Sequence, residues 1–165
     1  MAGVDEKDIE MMEERLATEK NSCSLEYIRQ LQYDMEKKDV KSDEEYHNMM
    51  LTLAVALARS GESMHRKDGI AILKSLRNIS KSEADKAETL YFLAQAYFLH
   101  GDYVPAGETM EEYLRIRPGD RRGPVMQEVI RRRVNRDAAI GAGVAGGLVV
   151  AASVAGIVAM ALLRG

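Results

Sequence analysis

Apolar residues recur at spacings of three and four along most of the chain, the pattern of amphipathic α-helices. Ile9, Met12 and Leu16 show it near the N-terminus, and Ile70 and Leu73 show it further on. No strand signal stands out beside it. The pattern predicts an all-α protein with seven helices, over residues 5–19, 25–38, 43–60, 66–79, 82–100, 103–116 and 120–136.

Residues that start or break helices separate the predicted segments. Ser82 with Asp85 three positions later resembles a capping box at the start of the fifth helix, with Asp in place of the usual Glu. Gly101 lies between the fifth and sixth helices, where glycine allows a sharp turn. Pro118 follows the sixth helix, which a proline cannot continue.

The fifth and sixth predicted helices carry the spacing of a tetratricopeptide repeat (TPR), a hairpin of two packed helices. Small Ala94 and Ala106 would let these two helices approach closely. The positions that match the repeat are Leu90, Leu93, Ala94, Tyr97, Gly101, Tyr103, Ala106, Met110, Leu114 and Pro118.

A weaker copy of the same pattern lies upstream. It uses Leu57, Ala58, Gly69, Leu73 and Leu76, with Gly69 in the position that Ala106 has in the second copy. Two repeats rarely bury enough surface alone, so the first, second and seventh helices are expected to cap them. The predicted fold is a TPR-like helical bundle of two helix-hairpin repeats with capping helices.

The first helix of each hairpin in such a repeat lines a concave face. The offsets place there Glu88, Tyr91, Gln95, Phe98 and Leu99. Tyr91, Phe98 and Leu99 would form an apolar strip suited to a partner helix or an extended segment, and with Gln95 they make the predicted partner-binding groove. The alternative is that some of these side chains contact the first or third helix and belong to the core.

The charges are unevenly distributed, which the net charge of -3 conceals. Residues 1–120 carry -8, residues 121–165 carry +5, and the 26 residues 138–163 carry none. As a helix, these 26 residues would extend about 39 Å, enough to cross a hydrocarbon core of about 30 Å. A buried core helix is the alternative, and we disfavour it because so small a body rarely buries so long an uncharged helix. We therefore predict a cytosolic bundle over 1–137 and a transmembrane tail anchor over 138–163.

Basic residues flank the predicted anchor. They are Arg131, Arg132, Arg133 and Arg136 before it and Arg164 after it. Their position agrees with the positive-inside rule, and they are expected to meet anionic headgroups. A weakly apolar anchor with basic flanks favours the mitochondrial outer membrane or the peroxisome over the endoplasmic reticulum.

Small residues recur every fourth position within the anchor, including Gly143, Gly147 and Ala151. This spacing lets two membrane helices approach closely, so self-association into a homo-oligomer is a further hypothesis. The alternative is that the high content of alanine and glycine produces the spacing by chance.

Several other functions are excluded by the sequence. The acidic body and a pI of 5.7 argue against nucleic-acid binding. Cys23 is the single cysteine and is expected to be a free structural thiol. His47, His65 and His100 share no metal-ligand spacing, and no phosphate loop or nucleophile elbow occurs. We therefore expect no catalytic residue, no cofactor and no metal, and we also expect neither a signal peptide nor a transit peptide.

The whole layout resembles the mitochondrial fission 1 protein family. The residues that carry the resemblance are 58–60, 69–76, 91–94, Tyr103 and the tail rich in glycine and alanine, and residues 8–20 are similar to the family's first helix. The resemblance implies a non-enzymatic adaptor on the mitochondrial outer membrane and on peroxisomes, with its body facing the cytosol. It would recruit a dynamin-related GTPase or fission adaptor proteins, and its N-terminal arm could cover the groove. A TPR-like receptor or co-chaperone for another cytosolic protein stays open as the alternative.

Overall fold

The computed structural model describes residues 4–144, with side chains as far as Ile140. The regular elements of this part of the chain are all helices: α1 (Glu6–Glu19), α2 (Leu25–Lys37), α3 (Asp43–Ala58), α4 (Ser63–Ile79), α5 (Glu83–His100), α6 (Tyr103–Ile116) and α7 (Arg122–Val144). The all-α prediction is confirmed, and the bundle is consistent with a TPR-like fold. The main difference is that α7 continues to Val144 without a break, whereas the pattern predicted one helix that ends at 136 and a separate anchor helix from 138.

Residues up to Arg133 form one compact unit, and residues from Val134 onward belong to a second. Of the second unit, the structure describes the helical stretch 134–144. Within the described residues, no helix is both long enough and apolar enough to cross a membrane. Most of the predicted anchor, from 145 to 163, lies outside them.

Side-chain caps determine where four of the helices begin. Asp5 at the start of α1 accepts a hydrogen bond from the amide two residues later, at 3.0 Å. Ser24, Ser42 and Ser82 at the starts of α2, α3 and α5 accept from the amide three residues later, at 3.0 to 3.2 Å. Each cap satisfies an N–H that has no partner inside its helix. The cap at Ser82 confirms the start predicted for α5.

The bundle is built from two helical hairpins, α3 with α4 and α5 with α6, and α4 also packs against α5. Gly101 joins α5 to α6 with φ of +100°, a left-handed conformation that suits a residue without Cβ. Ile116 is the last residue of α6, two positions before Pro118, as predicted. The turn residues thus set the boundaries of the second hairpin.

One apolar cluster joins α3, α4 and α5. Its buried members are Leu51, Ala54, Ala58, Ile70, Leu73, Leu76, Leu93 and Ala96. A second cluster attaches α2 to the outer side of α3 through Ile28, Leu53, Ala56 and Leu57. Helix α3 therefore contributes to both clusters.

The contact between α3 and α4 is closest at Gly69. A Cβ atom on Gly69 would lie 2.7 Å from the carbonyl oxygen of Ala54 and 2.9 Å from the amide nitrogen of Ala58. Ala106, which has the corresponding place on α6, is completely buried. The small residues predicted from the repeat pattern therefore lie at tight packing positions in both hairpins.

Replacing Gly69 by alanine is expected to lower the free energy of unfolding by about 1–3 kcal/mol, because the new methyl group would overlap the backbone of α3. The matched control is Gly107→Ala, since Gly107 is also inside a helix. Its added Cβ would meet only Ile130 Cγ2, at 3.7 Å, so that variant should gain up to about 1 kcal/mol of helix propensity. Urea denaturation of the three proteins measures both effects. Equal stability of the two variants would contradict the close approach of α3 and α4.

Candidate partner-binding groove

All four residues of the predicted partner-binding groove are buried. Tyr91, Gln95, Phe98 and Leu99 of α5 are each less than a tenth exposed. The hydroxyl of Tyr91 accepts a hydrogen bond from Arg15 of α1 at 3.4 Å, as expected if this part of α5 belongs to the core. Binding of a partner by these four residues stays a prediction.

Helix α7 covers much of this face of α5. The guanidinium of Arg122 lies 4.9 Å from the ring centroid of Tyr91, and that of Arg133 lies 5.9 Å from the ring centroid of Phe98. The two helices therefore run along each other in the same direction. Met126, Val129 and Ile130 of α7 are fully or almost fully buried, and Ile130 lies beside Gly107 of α6. An end repeat needs such a cover because its apolar face has no further repeat to pack against.

The N-terminal half of α5 remains open. A cavity of about 700 Å³ lies beside it, against the end of α6 and the turn into α7, and its walls include Tyr91, Tyr113, Ile116 and Arg122. A second cavity of about 600 Å³ lies between α2, α3 and α5, with walls that include Tyr27, Leu51, Val55 and Arg59. Glu88 and Phe92 line both cavities. We call this pair of cavities the α5 groove.

The repeat offsets predicted part of the α5 groove. They placed Glu88 and Tyr91 on the concave face, and both residues line the first cavity. They missed Phe92, although it follows Glu88 by four positions and so lies on the same side of the helix. The rule that first helices line the concave face also applies to α3, and it would have found Leu51 and Val55.

A polar network supports the first cavity. The hydroxyl of Tyr113 donates a hydrogen bond to Asp120, and Arg122 donates to the same carboxylate from its guanidinium at 2.7 Å and from its backbone amide at 2.9 Å. Arg122 in particular holds the pKa of Asp120 well below its ordinary value. Burial, together with the bond to Asp120, raises the pKa of Tyr113 to about 12. The network fixes the turn that begins α7.

The second cavity is held by contacts between two turns. The backbone amide of Cys23 donates to the carbonyl oxygen of Arg59 at 3.2 Å, next to a short parallel bridge between Cys23 and Ser60. The guanidinium of Arg59 also forms an ion pair with Glu19 at 3.1 Å. Burial raises the pKa of the Cys23 thiol. These contacts tie the start of α2, one wall of the groove, to the end of α3.

Three of the predicted membrane-flanking arginines have partners within the described part of the protein. Arg131 pairs with Glu128 at 2.6 Å, and Arg132 donates two hydrogen bonds to Glu6 of α1 at 2.6 and 2.7 Å. These two hydrogen bonds from Arg132 lower the pKa of Glu6. Arg133 lies over Phe98, as described above. Arg132 therefore joins α7 to α1 and Arg133 joins α7 to α5, whereas the pair of Arg131 lies within α7; a role of these arginines at a membrane stays a prediction.

The other predicted sites of the tail are only partly described. Arg136 is exposed on α7. Gly143 lies within the helical backbone of α7. Arg164, Gly147 and Ala151 lie outside the described residues, so flanking by Arg164 and self-association through the small residues stay predictions.

Two of the three histidines lie close to hydroxyl groups. His47 is buried between α3 and α5 with its Nε2 atom 3.3 Å from the hydroxyl of Thr89. His65 Nδ1 lies 3.1 Å from the hydroxyl of Ser60. Within residues 4–144, no three His, Cys, Asp or Glu residues cluster in a way that could hold a metal ion.

Comparison with known proteins identifies relatives of this chain. It matches no protein-family profile. It is 30% identical to mitochondrial fission 1 protein B of Arabidopsis thaliana over 115 residues, which cover 70% of this chain and 67% of that protein. The chain belongs to the mitochondrial fission 1 protein family. A second member, mitochondrial fission 1 protein A of the same plant, is 27% identical over 96 residues, 58% of this chain and 55% of that protein.

Family membership confirms the resemblance found in the sequence. At this level of identity the chain is a divergent member of the mitochondrial fission 1 protein family. Both relatives are named for mitochondrial fission.

The Tyr113 network predicts a pH dependence. Up to about pH 9 Tyr113 is protonated in the folded and in the unfolded protein. From about pH 10 it ionises in the unfolded chain, whereas its pKa in the folded protein is about 12. Stability is therefore lost as the pH rises through this window, by roughly 2 kcal/mol. Tyr113→Phe has no phenol to ionise, so this loss is absent. The difference in free energy of unfolding between wild type and variant should therefore shrink between pH 10 and 12.

Urea denaturation at pH 8, 10 and 11 measures this difference. The control is Tyr27→Phe, whose side chain is half exposed and which should keep the pH dependence of the wild type. A constant difference between wild type and Tyr113→Phe at all three pH values would show that the hydroxyl of Tyr113 does not contribute in this way.

Proposed function

We propose that this protein is a membrane-anchored adaptor that recruits fission machinery, a dynamin-related GTPase or its adaptors, to promote mitochondrial and peroxisomal fission. Family membership supports the connection with fission. The observation that carries the adaptor role is the α5 groove, whose two cavities are lined by aromatic, aliphatic and charged side chains. Such surfaces suit a peptide segment of another protein. We propose binding without catalysis.

The proposed architecture has two TPR-like repeats, α3–α4 and α5–α6, with α1, α2 and α7 as caps. Residues 1–137 form the cytosolic body and 138–163 the transmembrane anchor. The body faces the cytosol on the mitochondrial outer membrane and on peroxisomes. The absence of charge from 138 to 163, together with the basic residues before it, supports this arrangement.

The anchor is tested by the location of two tagged chains, the full protein and one that ends at Asp137. The full protein is expected on mitochondria and peroxisomes, because only its tail offers 26 uncharged residues to a bilayer. The shortened chain is expected to be diffuse in the cytosol. Fluorescence imaging with organelle markers measures both. If both chains are diffuse, the anchor is wrong.

Organelle shape tests the fission role. Overexpression is expected to fragment mitochondria and peroxisomes, and loss of the protein is expected to elongate them. Thr52→Arg, an exposed position that lines the second cavity, should weaken fragmentation because it obstructs the α5 groove. Met64→Arg, exposed on α4, adds the same charge away from the groove and should fragment normally. Unchanged organelles after both overexpression and loss would contradict the proposal.

The co-chaperone alternative is less well supported. Binding an acidic C-terminal peptide requires unpaired basic residues in the groove. Arg59 is already paired with Glu19 and Arg122 with Asp120, so among the described residues of the cavity walls only Arg117 offers an unpaired positive charge. Glu88 adds a negative charge where the two cavities meet. The α5 groove is therefore a poor clamp for an acidic peptide.

A further inference from the structure

Arg132 joins α7 to α1 at a point of the chain that also flanks the proposed anchor. It is six positions before Ala138, the first residue of that anchor. Its guanidinium donates two hydrogen bonds to Glu6, at 2.6 and 2.7 Å, and pairs with Glu128 at 3.2 Å. The contact between α1 and α7 therefore uses a cation that the proposed anchor would bring to lipid phosphates.

The contact between Glu6 and Arg132 is open to solvent. The side chain of Glu6 is 62% exposed and that of Arg132 is 35% exposed. An exposed ion pair contributes little to stability, because water and salt screen both charges. Glu128 has a second partner in Arg131 at 2.6 Å, so it does not depend on Arg132. A phosphate accepts the same paired hydrogen bonds from a guanidinium as a carboxylate does and would compete with Glu6 on similar terms.

The first turn of α1 and its N-cap carry a net negative charge. The charged residues there are Asp5, Glu6 and Asp8, with Lys7 as the single cation. An anionic membrane surface repels such a turn and attracts an arginine. The field of that surface therefore acts in opposite directions on Glu6 and on Arg132, and it favours their separation.

The rest of α1 has attachments of its own. Its buried residues are Ile9, Met12 and Leu16. Arg15 donates a hydrogen bond to the hydroxyl of Tyr91 at 3.4 Å. Loss of the contact with Arg132 would therefore loosen the first turn of α1 and leave the remainder of the helix in place.

We propose that phosphate groups of anionic lipids compete with Glu6 for Arg132, so that the first turn of α1 is docked on α7 beside neutral lipid and released beside anionic lipid. This inference rests on the proposed anchor, which brings Arg132 to a membrane. A lipid surface is favoured over dissolved phosphate because the anchor would hold many phosphates close to this arginine. The docking of α1 would then respond to the charge of the membrane.

Hydrogen exchange of the full-length protein in lipid vesicles tests the inference. The vesicles contain phosphatidylcholine alone or phosphatidylcholine mixed with anionic phosphatidylglycerol. Mass spectrometry follows the amides of residues 9–12, which bond to carbonyl oxygens of the first turn and its N-cap. We expect their exchange to be roughly two- to fivefold faster on the anionic vesicles, the range for loss of an exposed ion pair. Amides of α2, which packs on the outer side of α3, should exchange equally on both.

Two variants remove the contact from either side. Arg132→Gln should exchange fast on both kinds of vesicle, because Glu6 then has no cation on α7. Glu6→Gln should lose most of the lipid dependence, because a neutral amide is a weaker partner for a guanidinium than a carboxylate is. Circular dichroism checks that both variants remain helical, as expected for positions open to solvent.

The matched control is Arg136→Gln. Arg136 is exposed on the same helix and has no ion pair among the described residues, and its replacement removes an equal charge. This variant should keep the lipid dependence of the wild type. If it does not, general attraction of the basic segment to the membrane is the cause, and the inference is wrong.

The remaining outcomes identify the source of the phosphate and separate the inference from the proposed anchor. Inorganic phosphate added to the neutral vesicles should leave exchange slow when compared with sodium chloride at the same ionic strength. Acceleration equal to that on anionic vesicles would assign the site to free phosphate and overturn the role of the membrane. A protein that floats with the vesicles in a density gradient but exchanges equally on both contradicts this inference alone. A protein that does not float contradicts the proposed anchor as well.

Discussion

The packing of α7 along α5 is the constraint on which the rest of the bundle depends. Two repeats leave the apolar face of the second repeat without a neighbour, and that face would otherwise be exposed to water. Helix α7 covers part of it with the guanidinium groups of Arg122 and Arg133 over aromatic rings, and its own Met126, Val129 and Ile130 are buried. Because this cover reaches only part of α5, it also determines which surface stays open. The α5 groove is what remains.

The parts of the fold that depend on local chemistry could be predicted from the sequence. Gly101 and Pro118 define a hairpin because the properties of a glycine and of a proline act within a few residues. The small residue at Gly69 identified a close helix contact because the repeat spacing specifies where the two helices meet. The extent of α7 was harder to predict, since nothing between 136 and 144 breaks a helix and the change from polar to apolar residues carries no stop signal.

The candidate site was less predictable, because its exposure depends on residues that are distant in sequence. Tyr91 and Phe98 have the spacing of an exposed apolar strip. Whether their rings are exposed to solvent depends on where Arg122 and Arg133 pack. The arginines before the tail present the same ambiguity. A row of basic residues next to an uncharged segment is typical of a membrane flank, and Arg132 is nevertheless bound to Glu6. Composition cannot distinguish a cation that faces lipid from one that holds two helices together.

The two hydrogen bonds between Glu6 and Arg132 connect residues that are 126 positions apart. Helix α1 is among the first segments to be synthesised, yet it cannot complete this contact until α7 has been made and has docked on α5. The start of α1 thus gains its last contact late in synthesis, whereas Arg15 and Glu19 further along the helix can already meet Tyr91 of α5 and Arg59 at the end of α3. Closing so long a loop is slow compared with forming the local hairpins. For a nascent chain, the joining of its two ends is the step that completes folding of the body.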